Sequence, residues 1–232
     1  MAWSNPVAAF LFWSAATIAF YLGSRLAYRR WPHWWLSPLL ATPALVVGLA
    51  LALHASYQEY RESTHWLMTL LGPTVVAFAV PIYEQRTLIR RFWPVLLAGV
   101  AAGSVTAMAT AWGLASLLGL GGDLRLSLLP RSISTPFAMT VSGEIGGAPN
   151  LTAVFVIFTG VFGAMLGELL LAWLPLRSSA ARGALFGMGA HGCGVAKAST
   201  HGREEATIAS LVMVLAGLAN VLAAPFIASF LG

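Results

Sequence analysis

The chain has 232 residues, of which 58% are hydrophobic and only 9% are charged, and this composition excludes an ordinary soluble globular protein. The net charge of +5 comes from 13 basic residues that lie mainly in short loops, a distribution that reflects membrane orientation and excludes nucleic acid as a partner. At about 20 residues per span, the length predicts a single polytopic transmembrane domain over residues 1–232.

Six apolar runs are long enough to cross a bilayer as full transmembrane helices. In chain order they cover residues 7–24, 37–55, 66–83, 92–119, 151–176 and 206–232. The apolar segments 128–146 and 183–198 are short or interrupted by glycine, so each is either a broken span or a re-entrant hairpin. The predicted fold is therefore an all-α membrane protein with six full transmembrane helices and two broken or re-entrant segments.

Loop charge predicts the orientation of these spans. Two loops carry the densest positive charge and are predicted to be cytoplasmic, which places the N-terminus outside; they contain Arg25, Arg29 and Arg30, and Arg86, Arg90 and Arg91. If segment 128–146 enters and leaves from the outside, the loop with Arg177 and Arg182 also falls inside. This assignment of the loops to the two sides of the membrane favours re-entrant hairpins. Their breaks would approach the membrane centre from opposite sides, as in transporter sites.

Two parts of the chain share a faint pattern. Pro73 and Pro136 each follow a short polar stretch, and each precedes a long helix with a Gly-x-x-x-Gly pair; the pairs are Gly99 with Gly103 and Gly163 with Gly167. Two interpretations stay open. One is an internal structural repeat, and the other is close helix packing by small residues.

The first break contains the sequence Ser134-Thr135-Pro136. Proline is tolerated in the first helical turn, so this sequence is suited to opening a half-helix, with Ser134 or Thr135 either capping it or donating a hydroxyl to a solute. Free amides at such a helix start attract a small carboxylate.

Two residues at the end of the first break are further candidates. Asn150 follows a glycine- and proline-containing turn and is predicted to cap the next helix or to contact solute. Glu144 is predicted to gate the site or to pair with Arg131, and it is one candidate for proton coupling.

The second break is glycine-rich and contains His191, Gly192 and Lys197. His191 either holds the break together through a hydrogen bond or acts as a solute donor or proton carrier. Lys197 is the only lysine in the chain. It is either a snorkelling anchor at a helix end or, because a lysine within the bilayer is costly, a functional anion contact.

Glu168 lies in the middle of the fifth predicted span. A carboxylate at that depth must be protonated, paired or turned towards a wet interior. Glu168 is therefore a third candidate for proton coupling, beside His191 and Glu144; the alternative is a packing role or a helix register that places it nearer the membrane interface.

Enzyme motifs are missing from the sequence. It contains no His-Glu-x-x-His and no Gly-x-Ser-x-Gly, and Asp123 is its only aspartate, so no catalytic residue and no enzymatic activity are predicted. Cys193 is the only cysteine, and together with His191 it offers too few ligands for a metal. No metal or other cofactor is predicted.

From about Leu67 onward the sequence resembles the LrgB/CidB family of bacterial membrane proteins, whose plant relative is the plastid glycolate/glycerate translocator. The resemblance is carried by LGPTVVAFAVPIY (71–83), STPFAM (134–139), IGGAPNLTAVFV (145–156), AHG (190–192), AKA (196–198) and VLAG (214–217). We find no family signal in residues 1–60, so an LrgB-like core is expected over residues 66–232. The resemblance implies a multi-pass protein of the bacterial inner membrane.

The resemblance implies two alternative functions. Our main hypothesis is a carrier of small monocarboxylates such as glycolate, glycerate or pyruvate, bound by Ser134, Thr135, Pro136, Asn150, His191, Gly192 and Lys197. The alternative is a holin- or antiholin-like protein that controls murein hydrolase export and lysis. The resemblance also implies a small LrgA/CidA-type membrane subunit as partner, and the Gly-x-x-x-Gly faces suggest a homodimer.

Overall fold

The computed structural model describes residues 5–31 and 33–231, and it contains helices but no strand in that part of the chain. The all-α class is therefore confirmed. The α-helices are α1 Pro6–Arg30, α2 Pro38–Ala52, α3 Tyr57–Thr64, α4 Trp66–Thr69, α5 Leu71–Ala77, α6 Ala79–Glu84, α7 Arg86–Leu117, α8 Gly122–Leu128, α9 Thr135–Glu144, α10 Pro149–Trp173, α11 Ser179–His201 and α12 Arg203–Leu231. The chain divides into two compact units, Met1–Pro73 and Thr74–Gly232. The single-domain organisation stays a prediction.

Four of the helices, α1, α7, α10 and α12, are long and apolar enough to cross a bilayer. The predicted count of six full-length transmembrane helices is not confirmed. Helix α2 has 15 residues and is about 22 Å long, which is shorter than the hydrocarbon layer of about 30 Å.

The third predicted span, residues 66–83, is divided into α4, α5 and α6. Pro73 and Pro81 lack the N–H group that a continuous helix would use. Between them the Phe78 amide donates to the Val75 carbonyl, three residues back instead of four. The two prolines therefore explain why an apolar run of spanning length forms short helices.

In the first unit, polar side chains of the apolar helices bond to one another. Ser24 on α1 lies 2.8 Å from Thr42 on α2 through their hydroxyl oxygens. The Trp66 indole donates to the Ser14 hydroxyl over 2.8 Å, and Trp13 meets the ring of Tyr60 edge-on. The two hydrogen bonds satisfy polar groups that lipid cannot.

In the second unit, residues 122–144 fold into a helical hairpin that we call hairpin A. Its first leg is α8 with a short 3₁₀ turn, Leu129–Ser132, and its second leg is α9. Ser127 of the first leg and Ser142 of the second both bond to Thr152, in the first turns of α10. The Thr152 hydroxyl oxygen lies 3.0 Å from the Ser127 carbonyl oxygen and 2.7 Å from the Ser142 hydroxyl oxygen. Both legs therefore meet the N-terminal end of α10.

Helix α11 also folds back on itself, at His191, and we call residues 179–201 hairpin B. The backbone of His191 has φ 39° and ψ −120°, which interrupts the helix. The ring of Phe186 stacks on that of His201 at 5.6 Å, although these residues would lie roughly 20 Å apart in a straight helix. Hairpin B is thus re-entrant, with its tip at His191.

The legs of hairpin B pack against the C-terminal half of α10. A Cβ on Gly167 would lie 2.7 Å from the ring of Phe186, and Lys197 pairs with Glu168. Hairpins A and B therefore approach from opposite ends of α10. This is the arrangement expected for the two breaks. For segments 128–146 and 183–198 it favours re-entrant hairpins over broken spans.

The Gly-x-x-x-Gly pair on α10 is explained by packing. Gly163 abuts the Gly189 carbonyl and Gly167 abuts Phe186, both in hairpin B. On α7, Gly103 faces Met188, whereas a Cβ on Gly99 would meet nothing within 4 Å. The internal repeat stays a prediction.

Gly194 tests the folded-back shape of hairpin B. A Cβ at this position would overlap the Phe186 carbonyl oxygen, so Gly194→Ala should lower the stability of the protein by about 1–3 kcal/mol, the usual cost of overpacking. Gly189→Ala is the matched control, because a Cβ there meets nothing within 4 Å. Thermal unfolding in detergent measures both, and equal stability of the two variants would contradict the hairpin.

Candidate functional site

The tips of both hairpins lie halfway along the long helices. In hairpin A, Phe137 packs on Gly217, near the middle of α12, and leaves no room for a Cβ there. In hairpin B, His191 packs on Gly160, near the middle of α10, where a Cβ would lie 2.7 Å from the imidazole Cε1. Non-helical backbone therefore lies level with the middle of α10 and α12, which are long and apolar enough to cross a bilayer. In lipid, such backbone is tolerated only inside protein or beside water.

The two tips meet at a small cavity. Ser132 and Ile133 of hairpin A line it together with Met188 of hairpin B, and the cavity volume is about 10 Å³. That volume is close to the minimum needed for one water molecule. We call this meeting point of residues 129–133 with Met188 the junction; Ser134 directly follows it along the chain, and His191 lies three residues beyond Met188.

Ser134 begins α9 next to the junction but does not cap it with its side chain. Its backbone has the extended conformation of a capping residue, yet no side-chain capping bond forms. Its hydroxyl is buried and has no hydrogen-bond partner in the described part of the chain. Of the two roles predicted for Ser134, capping by its hydroxyl is thus not observed. The neighbouring Thr135 and Pro136 form the first turn and are half-buried.

His191 is also buried, with 5% of its surface exposed. Its Nε2 atom has no hydrogen-bond partner among the described residues. The ring faces Gly160 beside the Cys193 thiol, and the following Gly192 is exposed. His191 and Ser134 thus each hold a polar atom without a hydrogen-bond partner, one on each tip. Burial of such an atom is energetically costly.

Lys197 and Glu168 lie away from the tips and bind each other. The Lys197 Nζ atom is 3.1 Å from the Glu168 Oε1 atom, and the His201 Nε2 atom is 2.6 Å from the same oxygen. Among the alternatives predicted for Glu168, the structure has it paired, at a site where its side chain is 36% exposed. The sequence analysis grouped Lys197 with His191, but Lys197 is six residues further along the second leg of hairpin B.

Asn150 and Glu144 lie at helix ends. Asn150 does not cap α10, because Ala148 is the capping residue and its amide donates to the Ser127 hydroxyl over 2.8 Å. The predicted cap was therefore wrong: proline at position 149 starts the helix one residue before Asn150. Glu144 is exposed, and the ion pairs of the described residues do not include the predicted one with Arg131.

Three polar residues near the hairpins were missed by the sequence analysis. Asn220, in the middle of α12, donates to the Ser104 hydroxyl on α7 over 2.9 Å, and both line the cavity at the junction. An amide inside an apolar span was a signal available in the sequence. His201 was detectable as well, because it lies four residues after Lys197 and hence on the same helix face.

No group of three or more His, Cys, Asp or Glu side chains within residues 5–31 and 33–231 is arranged to hold a metal ion. The cavity at the junction is lined by the polar side chains of Ser104, Ser132 and Asn220.

Comparison with known proteins extends the family resemblance to nearly the whole chain. The model of the LrgB-like family matches residues 17–230, so the family signal reaches into residues 17–60, where our motif analysis found none. No solved structure matches the chain.

Several bacterial proteins are similar over almost their full length. YwbG of Bacillus subtilis is 40% identical, with 93% of this chain and 96% of the relative covered. The antiholin-like protein LrgB of the same species is 31% identical, with 92% and 93% covered. The holin-like protein CidB of Staphylococcus epidermidis is 30% identical, with 90% and 91% covered. With its long apolar helices and two opposed hairpins, this chain is a multi-pass membrane protein of the LrgB family.

Proposed function

We propose that this chain controls the passage of small solutes across the bacterial inner membrane as a holin- or antiholin-like protein. The names of its relatives, holin-like CidB and antiholin-like LrgB, support this alternative better than carboxylate transport. The junction is the observation that supports solute passage. Two non-helical tips in the middle of a membrane are stable only around a polar path or inside protein. Control of murein hydrolase export is the role that the family resemblance implies.

Carriage of small monocarboxylates such as glycolate, glycerate or pyruvate is a second candidate function. Two observations favour it: free hydrogen-bonding groups on Ser134 and His191, and the convergence of Lys197 and His201 on one carboxylate. The second legs of both hairpins start next to the junction, so their N-terminal amides add donors and positive potential there. Thr135, Pro136 and Gly192 belong to these helix starts.

Asn150 and Glu144 are not part of the proposed junction. Asn150 is about 15 Å along α10 from Gly160, the contact of the hairpin B tip. For proton coupling we retain His191 and Glu168, because accumulation of an anion against the membrane potential needs a coupled cation.

Assembly and orientation complete the proposal. We infer an LrgA/CidA-type membrane subunit as partner from the family resemblance. A homodimer would need another surface than the predicted Gly-x-x-x-Gly faces, because Gly103, Gly163 and Gly167 already pack against hairpin B. We also infer an external N-terminus from the arginine-rich loops.

Solute flux into liposomes separates the two candidate functions. A holin-like pore should pass unrelated solutes up to a size limit without saturation, whereas a carrier should show saturable, competed uptake of labelled glycolate, glycerate or pyruvate. For a carrier, Lys197→Ala should lower uptake by about tenfold or more, because it removes a charge-assisted contact. The measurement is initial uptake rate against solute concentration, with and without a proton gradient.

The control for this flux experiment is protein-free liposomes with an entrapped dye. Uptake that is neither saturable nor limited by solute size, and equal to that of empty liposomes, would contradict solute passage by the isolated chain.

Ser134→Ala separates a structural role from contact with solute. Because its hydroxyl makes no hydrogen bond, the substitution should change the free energy of unfolding by less than about 0.5 kcal/mol while lowering flux. Ser142→Ala is the matched control. It removes a buried bond to Thr152 and should cost about 1 kcal/mol or more. A Ser134→Ala variant that keeps full flux would exclude Ser134 from the solute path.

A further inference from the structure

We propose that Lys197 and His201 form a carboxylate-binding pair, that the Glu168 side chain occupies it in this conformation, and that a small monocarboxylate displaces Glu168 from it. The proposal rests on the second candidate function and names the anion site for it. Glu168 thereby acts as an internal competitor for the solute.

The two donors belong to one rigid element, and the acceptor belongs to another. Lys197 and His201 are four residues apart on the second leg of hairpin B, so they share a helix face. Both reach the Oε1 atom of Glu168 on α10, at 3.1 and 2.6 Å. The donor pair therefore keeps its geometry when Glu168 moves away.

Phe186 holds one of these donors in place. Its ring, on the first leg of hairpin B, stacks on the His201 imidazole at 5.6 Å with an interplanar angle of 25°. A restrained ring loses little freedom on binding an anion, so the site is preorganised.

Exposure distinguishes this cluster from the other ion pair of hairpin B. The side chains of Lys197, His201 and Glu168 are 38%, 31% and 36% exposed. In the Arg182–Glu205 pair, the Glu205 side chain is only 7% exposed. Half-exposed ion pairs are weak, so the Glu168 carboxylate leaves its cluster more readily than the buried Glu205 carboxylate leaves Arg182, although the Arg182 side chain itself is 33% exposed.

The charges around the cluster are suited to the replacement of the Glu168 carboxylate by one solute carboxylate. Glu168 comes from α10 and Lys197 and His201 from hairpin B, while Arg182 of hairpin B is held by Glu205 of α12. When a proton neutralises Glu168 and a monocarboxylate takes its place, the charge of the cluster is unchanged. Entry of one proton together with one anion is thus electroneutral. It takes place at Lys197, about 9 Å along the second leg of hairpin B from His191.

The test uses the fact that Lys197 is the only lysine of the chain. The full-length protein in lipid nanodiscs is treated with an amine-selective acylating reagent, and modification of Lys197 is followed by peptide mass spectrometry at rising glycolate or pyruvate concentration. In Glu168→Gln the competitor is gone, so half-protection of Lys197 should need about tenfold less carboxylate than in the wild type. Glu204→Gln, which removes an exposed carboxylate nearby, should behave like the wild type.

Equal half-protection concentrations in the wild type and in Glu168→Gln would overturn the proposal, and so would equal protection by the neutral glycolamide. If Glu168→Gln does not fold, Glu168→Asp is used, whose shorter side chain should also lower the concentration for half-protection. Saturable uptake without protection of Lys197 would reject this site and leave the carrier function standing. Protection without saturable uptake would support the site and reject the carrier.

Discussion

Close contact between glycine-lined helix surfaces is the constraint on which the second unit depends. Gly160, Gly163 and Gly167 on α10 receive the side chains and backbone of hairpin B, and Gly183 and Gly187 of hairpin B lie directly against α12. A bilayer supplies little hydrophobic drive between helices, so van der Waals contact of this kind must hold them together. Because the glycines bring backbones together, hairpin B stays inside protein, and the non-helical residue His191 is protected from lipid.

That packing has a chemical consequence at the junction. Hairpin A is fixed by hydrogen bonds of Ser127, Ser142 and Thr152 at one end of α10, and hairpin B by small-residue contacts along the other half. Their tips therefore face each other with little freedom. The hydroxyl of Ser134 and the Nε2 atom of His191 remain unbonded there, in a protein that otherwise satisfies most of its buried polar groups. Such unsatisfied groups suit a solute path better than a purely structural contact.

The polar residues of the two hairpins lie at two different positions along α10. Ser134 and His191 lie at the tips, whereas Lys197, His201 and Glu168 form an open cluster nearer the end of α10. A solute passing along hairpin B would meet the charged cluster and the neutral junction in turn. This order suits capture of an anion by full charges, followed by transfer to weaker hydrogen bonds that release it, because conduction requires binding that is favourable but not too strong.

Composition alone determined that the chain is an all-helical membrane protein, because only helices or closed barrels satisfy the backbone in lipid and the apolar runs have helical lengths. Glycine and proline also located both breaks, since these residues interrupt helices through local backbone geometry. The sequence did not determine the partner of Lys197: pairing with Glu168 depends on how hairpin B folds against α10, which follows from contacts between distant residues. The Asn220–Ser104 bond has the same origin, whereas the division of residues 66–83 and the failed cap at Asn150 follow from local effects of proline. Local propensity indicates where a helix can break, but only tertiary packing decides which side chains then meet.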